Sequence, residues 1–362
     1  RPMTDTITAV RARPVVVPMR RPLATAGGVV SEAPLILVDV ETSGGIAGRA
    51  YSFAYQAWAL KPLMAMYDAL GERITGKPLD PQAVQADLMA MTRLAGAKGA
   101  AGQAISGLDM ALWDAAAKDK GQPLYKLLGA EAVATPAYNS KGLGMIGVPA
   151  AAKEARDLLD EGFAAVKLRL GYPTLEEDVA VARAVRVAIG PDVPLMSDYN
   201  QSQEVEEVIR RVKALAAVDL YWVEEPVHYD DFYGHAALRA VVQTPVQTGE
   251  NCWYPGEMAK CMAAGGCDYF MPDAGKIGGV TGWLGAAKLA AAAHLPLSSH
   301  LYPEISVHLL AATPTRHWLE YVDWAEPILA EALSVTGGHC RPAEKPGIGI
   351  EWNDRAVDKY GV

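Results

Sequence analysis

M-S-D-Y-N-Q at 196–201, W-V-E-E-P at 222–226 and V-Q-T-G-E-N at 246–251 are the phrases on which the reading of this chain turns. Each carries an acid close behind a short apolar run: Asp198, Glu224 and Glu250, with the same step of 26 residues between successive acids. A strand with its helix and loops occupies roughly 30 residues or somewhat more. An even beat near that length predicts one carboxylate at the C-terminal end of each of three successive parallel strands. Three converging carboxylates repel one another and resist ionisation. Mg²⁺, a hard ion that takes oxygen ligands in octahedral geometry, turns the same arrangement favourable. Three unrelated solvated acids would leave the beat and the apolar lead-ins as coincidence.

The beat continues on both sides. Upstream, F-A-A-V-K-L-R-L at 163–170 alternates, and side chains two apart share a strand face. Ala165, Lys167 and Arg169 therefore point one way, and Val166, Leu168 and Leu170 point toward covering helices. Two cations facing a barrel interior are costly unless they meet acids. Downstream, Y-F-M-P-D-A reaches Asp273, L-P-L-S-S-H reaches His300 and H-W-L-E reaches Glu320. Seven strand-like runs thus each end in a polar or ionisable residue. In a (β/α)₈ barrel the site is built from strand ends at that C-terminal face. The fold class read here is α/β, a barrel of that type.

These phrases, with P-D-A-G-K-I-G-G-V-T-G-W at 272–283 and S-S-H-L, E-I-S and A-A-T-P-T between 298 and 315, resemble the enolase superfamily, and within it the mandelate racemase family. The resemblance covers nearly the whole chain. It implies that Asp198, Glu224 and Glu250 ligate Mg²⁺ and that Asp273 and His300 form a dyad with His300 as a base. It further implies that Glu320 hydrogen-bonds a carboxylate oxygen of the substrate, which Lys167 faces as a cation. Ser140, Asn200 and Tyr55 are implied as polar substrate contacts. An N-terminal α+β capping domain (1–129), a catalytic barrel (130–325) and a C-terminal segment (326–362) returning to the cap complete the expected organisation.

One position departs from the family. Its pattern at 167–169 is Lys-x-Lys, and the second lysine is the base for one face of the substrate; this chain has Arg169 there. Arginine stays protonated, whereas a lysine can be tuned toward neutrality by burial and neighbouring cations. Arg169 is suited to stabilising charge rather than to removing a proton.

Composition sets outer bounds. The 362 residues exceed one usual domain, and 51% hydrophobic with 21% charged residues can fill a large core. A net charge of −9 argues against nucleic-acid or anionic-membrane partners. No apolar stretch is long enough to span a bilayer. Cys252, Cys261, Cys267 and Cys340 fit neither a C-x-x-C motif nor a dense disulfide framework, so reduced thiols in a cytoplasmic protein are expected. The partner expected is a small carboxylate substrate, in a homo-oligomer.

Segments 7–17 and 35–48 read as strands, with a Gly-bearing loop at about 20–31 between them. That loop is either a plain hairpin connection or a cover that excludes water. The resemblance favours the cover, and Leu23, Val29 and Val30 keep it apolar, with Gly27 in place of a larger residue. From Trp58 to about Gly129 the pattern is helical, with Ile105, Leu108 and Leu112 at helical spacing. Asp109 and Asp114 read as helix-end or surface acids. His228, His235, His308 and His317 follow no metal-ligand spacing and read as surface residues or supports behind the site. Glu225, adjoining Glu224, should face away from it. Lys141 stands where the family has a histidine.

The chemistry expected is removal of the α-proton of a 2-hydroxycarboxylate, giving an enediolate stabilised by Mg²⁺, Lys167 and Glu320. Return of the proton on the opposite face gives racemisation, and the apolar loop favours a small apolar or aromatic 2-hydroxy acid. Loss of a β-hydroxyl, with His300 as sole base, would make the chain an acid-sugar dehydratase instead. A non-catalytic ligand-binding barrel is the remaining alternative.

Overall fold

A computed structural model describes residues 5–362. The chain opens with an antiparallel meander of β1 (Ile7–Thr25), β2 (Gly28–Thr42) and β3 (Ala47–Phe53). The turn residues read at Gly44-Gly45 within 35–48 lie where the chain reverses over Ser43–Ile46 between β2 and β3, with Gly45 at φ +78°. The helices α1 (Leu60–Ile74) and α3 (Ala100–Asp119) cover one side of the sheet, and α2 (Pro81–Met91) packs on α3. The close approach of α3 to β3 demands Gly48, because a Cβ there would lie 2.1 Å from the Ala111 carbonyl oxygen.

The second layer is a closed parallel barrel. Its strands are β4 (Thr135–Asn139), β5 (Ala165–Arg169), β6 (Leu195–Asp198), β7 (Trp222–Glu224), β8 (Val246–Thr248) and β9 (Tyr269–Phe270). Residues 297–300 follow through single bridges to Phe270 and Asp273, and β10 (Leu319–Tyr321) closes the ring by pairing with β4. The strand absent from the sequence count is β4. Helices connect the strands, and local sequence sets their starts: Thr174 and Glu177 form a reciprocal capping box ahead of Leu175–Ile189.

The alternation read on β5 holds. Val166, Leu168 and Leu170 pack outward with Val181, Val185 and Val208 of the surrounding helices. Inside the barrel Tyr138, Ala165, Met196, Trp222 and Trp318 form an apolar floor, with Tyr138 and Trp222 edge to face at 5.4 Å. The ionisable residues one step further along each strand stand on that floor.

The C-terminal segment spans both layers. β11 (Val335–Thr336) and β12 (His339–Cys340) form a hairpin against β4, while the helix Asp354–Tyr360 packs on β1. The Trp352 indole donates to Asp39 at 2.8 Å, and the Ile348 N–H donates to Asp114 at 2.6 Å.

Several buried groups correct the sequence reading. Asp109 and Asp114 are not surface acids: α3 is enclosed on nearly all sides, and both are almost fully buried. Asp109 accepts from the Thr281 N–H and hydroxyl, and Asp114 from Arg49, Ile348 and Lys118, so they tie the cap to the barrel and C-terminus. His235 and His308 are also buried, His308 between Tyr125 and the Ile348 carbonyl. The four cysteines are free and buried. Among the described residues no helix is long and apolar enough to cross a membrane.

Candidate active site

Adjacent parallel strands in register place Arg169 beside Asp198 and Asp198 beside Glu224. Glu250 follows β8 after Gly249, whose φ of +129° suits glycine and lets the chain turn the carboxylate inward. One oxygen from each of Asp198, Glu224 and Glu250 lies within 4.8 Å of the others, and all three residues are buried. Burial pushes the Glu224 carboxyl well up, with Asp198, Glu250 and Glu320 adding to the effect against Lys167. Burial and the Glu225 charge push Glu250 up to about 7. Glu250 Oε2 is buried with no hydrogen-bond partner among the described residues. A cluster of hard, anionic oxygens that cannot all ionise alone, with an orphaned oxygen among them, fits a hard divalent cation.

Lys167 rises from β5 into this cluster. Its Nζ donates to Glu224 Oε1 at 2.6 Å and to Glu320 Oε2 at 2.7 Å, with Asp198 Oδ2 at 3.5 Å. Burial alone would lower its pKa, but Glu224, Glu320 and Asp198 together raise it, so it stays an ammonium. Glu320 also accepts from the Tyr138 hydroxyl at 2.9 Å, the Ser140 hydroxyl at 3.2 Å and the Leu301 N–H at 3.1 Å. Burial works against its ionisation, yet Lys167 and His300 outweigh burial and hold it well below the usual carboxylate range.

His300 meets Asp273 through Nδ1 at 2.6 Å, and its Nε2 lies 3.4 Å from Glu250 Oε1. An ionised Asp273 accepts the Nδ1 proton, which leaves Nε2 as the exchangeable position. Burial lowers the imidazole's pKa, and the charges of Glu250 and Glu320 with the Asp273 bond bring it up to about 9. Tyr55, on the cap with φ +62°, brings its hydroxyl to 3.5 Å from Asp273 Oδ2.

Arg169 is tethered from within. Its Nη1 donates to the Gly142 carbonyl at 2.6 Å and its Nη2 to Ser140 Oγ at 2.7 Å. Ser140 is fully buried between Arg169 and Glu320, accepting from the first and donating to the second, and supports both from behind the cavity wall. Asn200 is clipped to Asp198 through its N–H at 2.7 Å and its Nδ2 at 3.0 Å, leaving Oδ1 unpartnered at the cavity wall.

Lys167, Arg169, Asp198, Glu250, His300 and Glu320 open into a cavity of about 540 Å³ between barrel and cap. The hairpin tip of β1 and β2 contributes Leu23, Thr25 and Val30. What the sequence left open as cover or connection is a two-stranded hairpin that also walls the cavity. It is held down by Ala24 O accepting from Met145 N at 2.7 Å and by Arg21 against Glu161 at 2.7 Å. Lys141 pairs with the same Glu161. Gly27 is not part of the wall.

Sequence reasoning missed the polar half of this cavity: Gln103, Gln201, Glu225, Asn251 and Lys276. Glu225 was expected to face away, but β7 ends at Glu224 and Glu225 turns at φ +36°, so strand alternation stops one residue too early. Its carboxylate accepts from Asn251 Nδ2 at 2.9 and 3.0 Å, and burial pushes it up to about 8. The aromatic residues Phe53, Trp58, Trp253 and Trp324 complete the wall. The short phrases around Gln201, Glu225, Asn251 and Lys276 carried a signal, while Gln103, Phe53, Trp58 and Trp324 lie in segments with no motif.

Comparison with known proteins agrees with this architecture. Residues 7–129 match the mandelate racemase / muconate lactonizing enzyme N-terminal domain, and residues 150–356 match the enolase C-terminal domain-like family. An L-talarate/galactarate dehydratase from Salmonella typhimurium is 32% identical over 330 residues, covering 90% of this chain and 82% of the relative. An enolase from Bradyrhizobium, solved with magnesium and mandelic acid, superposes with TM-score 0.95 at 44% identity over the full length of both chains. A magnesium-bound enolase from the alphaproteobacterium BAL199 gives TM-score 0.97 at 39% identity, covering 99% of this chain and 100% of its own.

Proposed function

The chain belongs to the mandelate racemase / muconate lactonizing enzyme family of the enolase superfamily, and from that premise we propose that it is a Mg²⁺-dependent enzyme removing the α-proton of a 2-hydroxycarboxylate with His300 as its one base. Asp198, Glu224 and Glu250 would hold the ion, which when bound supplies positive charge for the enediolate that forms as the proton leaves. Lys167 adds a fixed ammonium, and Glu320, ionised and held by four donors, keeps that ammonium in place. His300 Nε2 takes the proton while Asp273 fixes the tautomer.

The observation that carries the one-base reading is the tether on Arg169. A guanidinium bonded to Gly142 and Ser140 can bind a hydroxyl or an oxyanion, but a second base needs a neutral nitrogen. With one base, productive turnover follows when protonated His300 returns its proton to a departing β-hydroxyl. The Cα–H and Cβ–O bonds break, water leaves, and the enol left behind becomes a 2-oxo acid. The polar wall of Gln103, Asn200, Gln201 and Asn251 suits a polyhydroxy acid, and the dehydratase relative points the same way. Racemisation of a small aromatic acid is the second reading, favoured by the aromatic wall and by the mandelic acid in the Bradyrhizobium neighbour.

The test is α-hydrogen exchange in D₂O with Mg²⁺, followed by NMR, on mandelate and on 2,3-dihydroxy acids with assay for 2-oxo acid. Wild type should exchange one face, and His300→Asn should lose at least about 100-fold of that exchange. Exchange at wild-type rate in His300→Asn would remove His300 as the base.

A further inference from the structure

Most buried acids among the described residues have a Lys, Arg or His nitrogen within 4 Å; Asp109, Glu225 and Glu304 have none. A buried carboxylate without a counter-charge is costly, and the cost is recovered when a ligand brings the cation. Asp109 is enclosed and accepts from the Thr281 N–H and hydroxyl, and Glu225 belongs to the catalytic cavity. Glu304 is placed differently. It is 8% exposed and lines a second cavity of about 350 Å³, which shares no lining residue with the catalytic one.

Glu304 lies in the first turn of the helix Pro303–Ala311. The Tyr51 hydroxyl donates to its Oε2 at 2.6 Å, and its own backbone N–H adds a further bond. The other titratable groups acting on it or sensing it are Glu326, Tyr321 and Cys340, none of them a cation. Glu326 has its own partner in Arg20 at 3.0 Å. Burial, with the Glu326 charge adding to it, pushes the Glu304 carboxyl up to about 7.

The cavity is apolar at depth and charged at its rim. Leu329, Pro342, Ile348 and Ile350 are buried in its walls, whereas Glu331, Arg341, Glu344 and Lys345 are exposed. Lys345 is paired with Glu331 and so is committed away from Glu304. Apolar walls converging on one polar group, in a space of roughly 300–1,000 Å³, are how small-molecule sites are built. An anion would meet repulsion from Glu304, and a neutral molecule would leave its charge uncompensated. An ammonium supplies the missing charge together with donors for the carboxylate.

We propose that this second cavity is a binding site for an organic ammonium, a primary amine on a compact apolar body, whose charged end pairs with Glu304 while the body packs against Leu329, Leu333 and Ile350. The site stands apart from the α-proton chemistry and does not depend on it.

2-Phenylethylamine and 2-phenylethanol test this, because they share one body and differ in an ammonium against a hydroxyl. An apolar cavity of roughly 150 Å³ already holds an aromatic ring, so the space suffices. Kd values are measured by ligand-detected NMR titration in Mg²⁺ for wild type, Glu304→Gln and Ala332→Trp. Wild type should bind the amine on the order of 10- to 100-fold tighter than the alcohol, the range for a hydrogen bond to a charged group. Glu304→Gln keeps an acceptor for Tyr51 and removes the charge, and it should abolish that preference. Ala332 is an exposed residue of the cavity lining, so a tryptophan there fills the space without entering the core and should remove binding of both probes. Should Glu304→Gln not fold, the amine preference of wild type and its loss in Ala332→Trp decide the assignment. Equal affinity for both probes in wild type, a preference that survives Glu304→Gln, amine binding unchanged in Ala332→Trp, or binding of neither probe overturns it.

Discussion

Arg169→Lys tests the division between one-base and two-base chemistry at a single atom position. The wild-type guanidinium is held by the Gly142 carbonyl and Ser140 Oγ at 2.6 and 2.7 Å, and a lysine ammonium cannot span both acceptors with a fork. The substitution thus both loosens the side chain and replaces a residue type that stays protonated with one whose usual pKa of about 10.4 lies at least about two units lower. Two units enlarge the neutral fraction at a given pH about 100-fold, or about 2.7 kcal/mol. Exchange of the α-hydrogen from the face that His300 does not address should rise by about that factor, while exchange at the His300 face changes by less than about threefold. The assay is NMR loss of the α-hydrogen of each mandelate enantiomer separately, in D₂O with Mg²⁺. The reasoning is refuted if the two enantiomers already exchange equally in wild type, or if the slow one is unmoved in Arg169→Lys.

Two further outcomes follow from other parts of the molecule. Stripping divalent ions should abolish α-exchange, and restoring Mg²⁺ at about 100 times its Kd should add about 2.7 kcal/mol of stability, a rise in Tm of about 4 °C; equal melting with and without the ion would contradict the three-carboxylate site. His308 accepts from the Tyr125 N–H and donates to the Ile348 carbonyl, and burial pushes its pKa down from 6.5 to about 4. The unfolded chain then binds more protons between those values, so this residue's contribution is full above about pH 6.5 and falls as pH drops toward 4, by up to about 3 kcal/mol. Denaturant melts should show the gap between wild type and His308→Gln narrowing by that order from pH 7.5 to 4.5, and a constant gap would count against it.

The barrel was readable because its strands are short, buried and terminated by ionisable residues at a steady interval. Alternation on β5 assigned Lys167 and Arg169 to the interior before any contact was known, and the Val166, Leu168 and Leu170 packing bears that out. β4 escaped notice because T-P-A-Y-N has no apolar run and ends in Asn139, whose side chain serves the Leu158 carbonyl and Glu161 and not the cavity. Asp109 and Asp114 were misplaced for a related reason. Helical periodicity marks one apolar stripe, but α3 is enclosed by the β2–β3 sheet, α2 and the helix Gly279–Ala292, and a helix enclosed on every side has no solvated face for its acids.

The site divides along the same line. Residues fixed by strand ends were legible, since strand register alone aligns Arg169, Asp198 and Glu224. Residues fixed by the turns beyond the strands were not, because period-two alternation ends with the hydrogen-bonded ladder. Glu225, Gln201 and Tyr55 take positive φ, rare for their residue types, and meet the cavity by backbone reversals; Asn200, of a type that tolerates positive φ, and Tyr55 were expected there only through the family resemblance. Strand ends hold the ionisable cluster, while the turns and the cap supply much of the remaining polar and aromatic wall of the cavity. For that reason the barrel and its carboxylate cluster were readable from the sequence, while the polar half of the cavity emerged only once those turns were seen to face it.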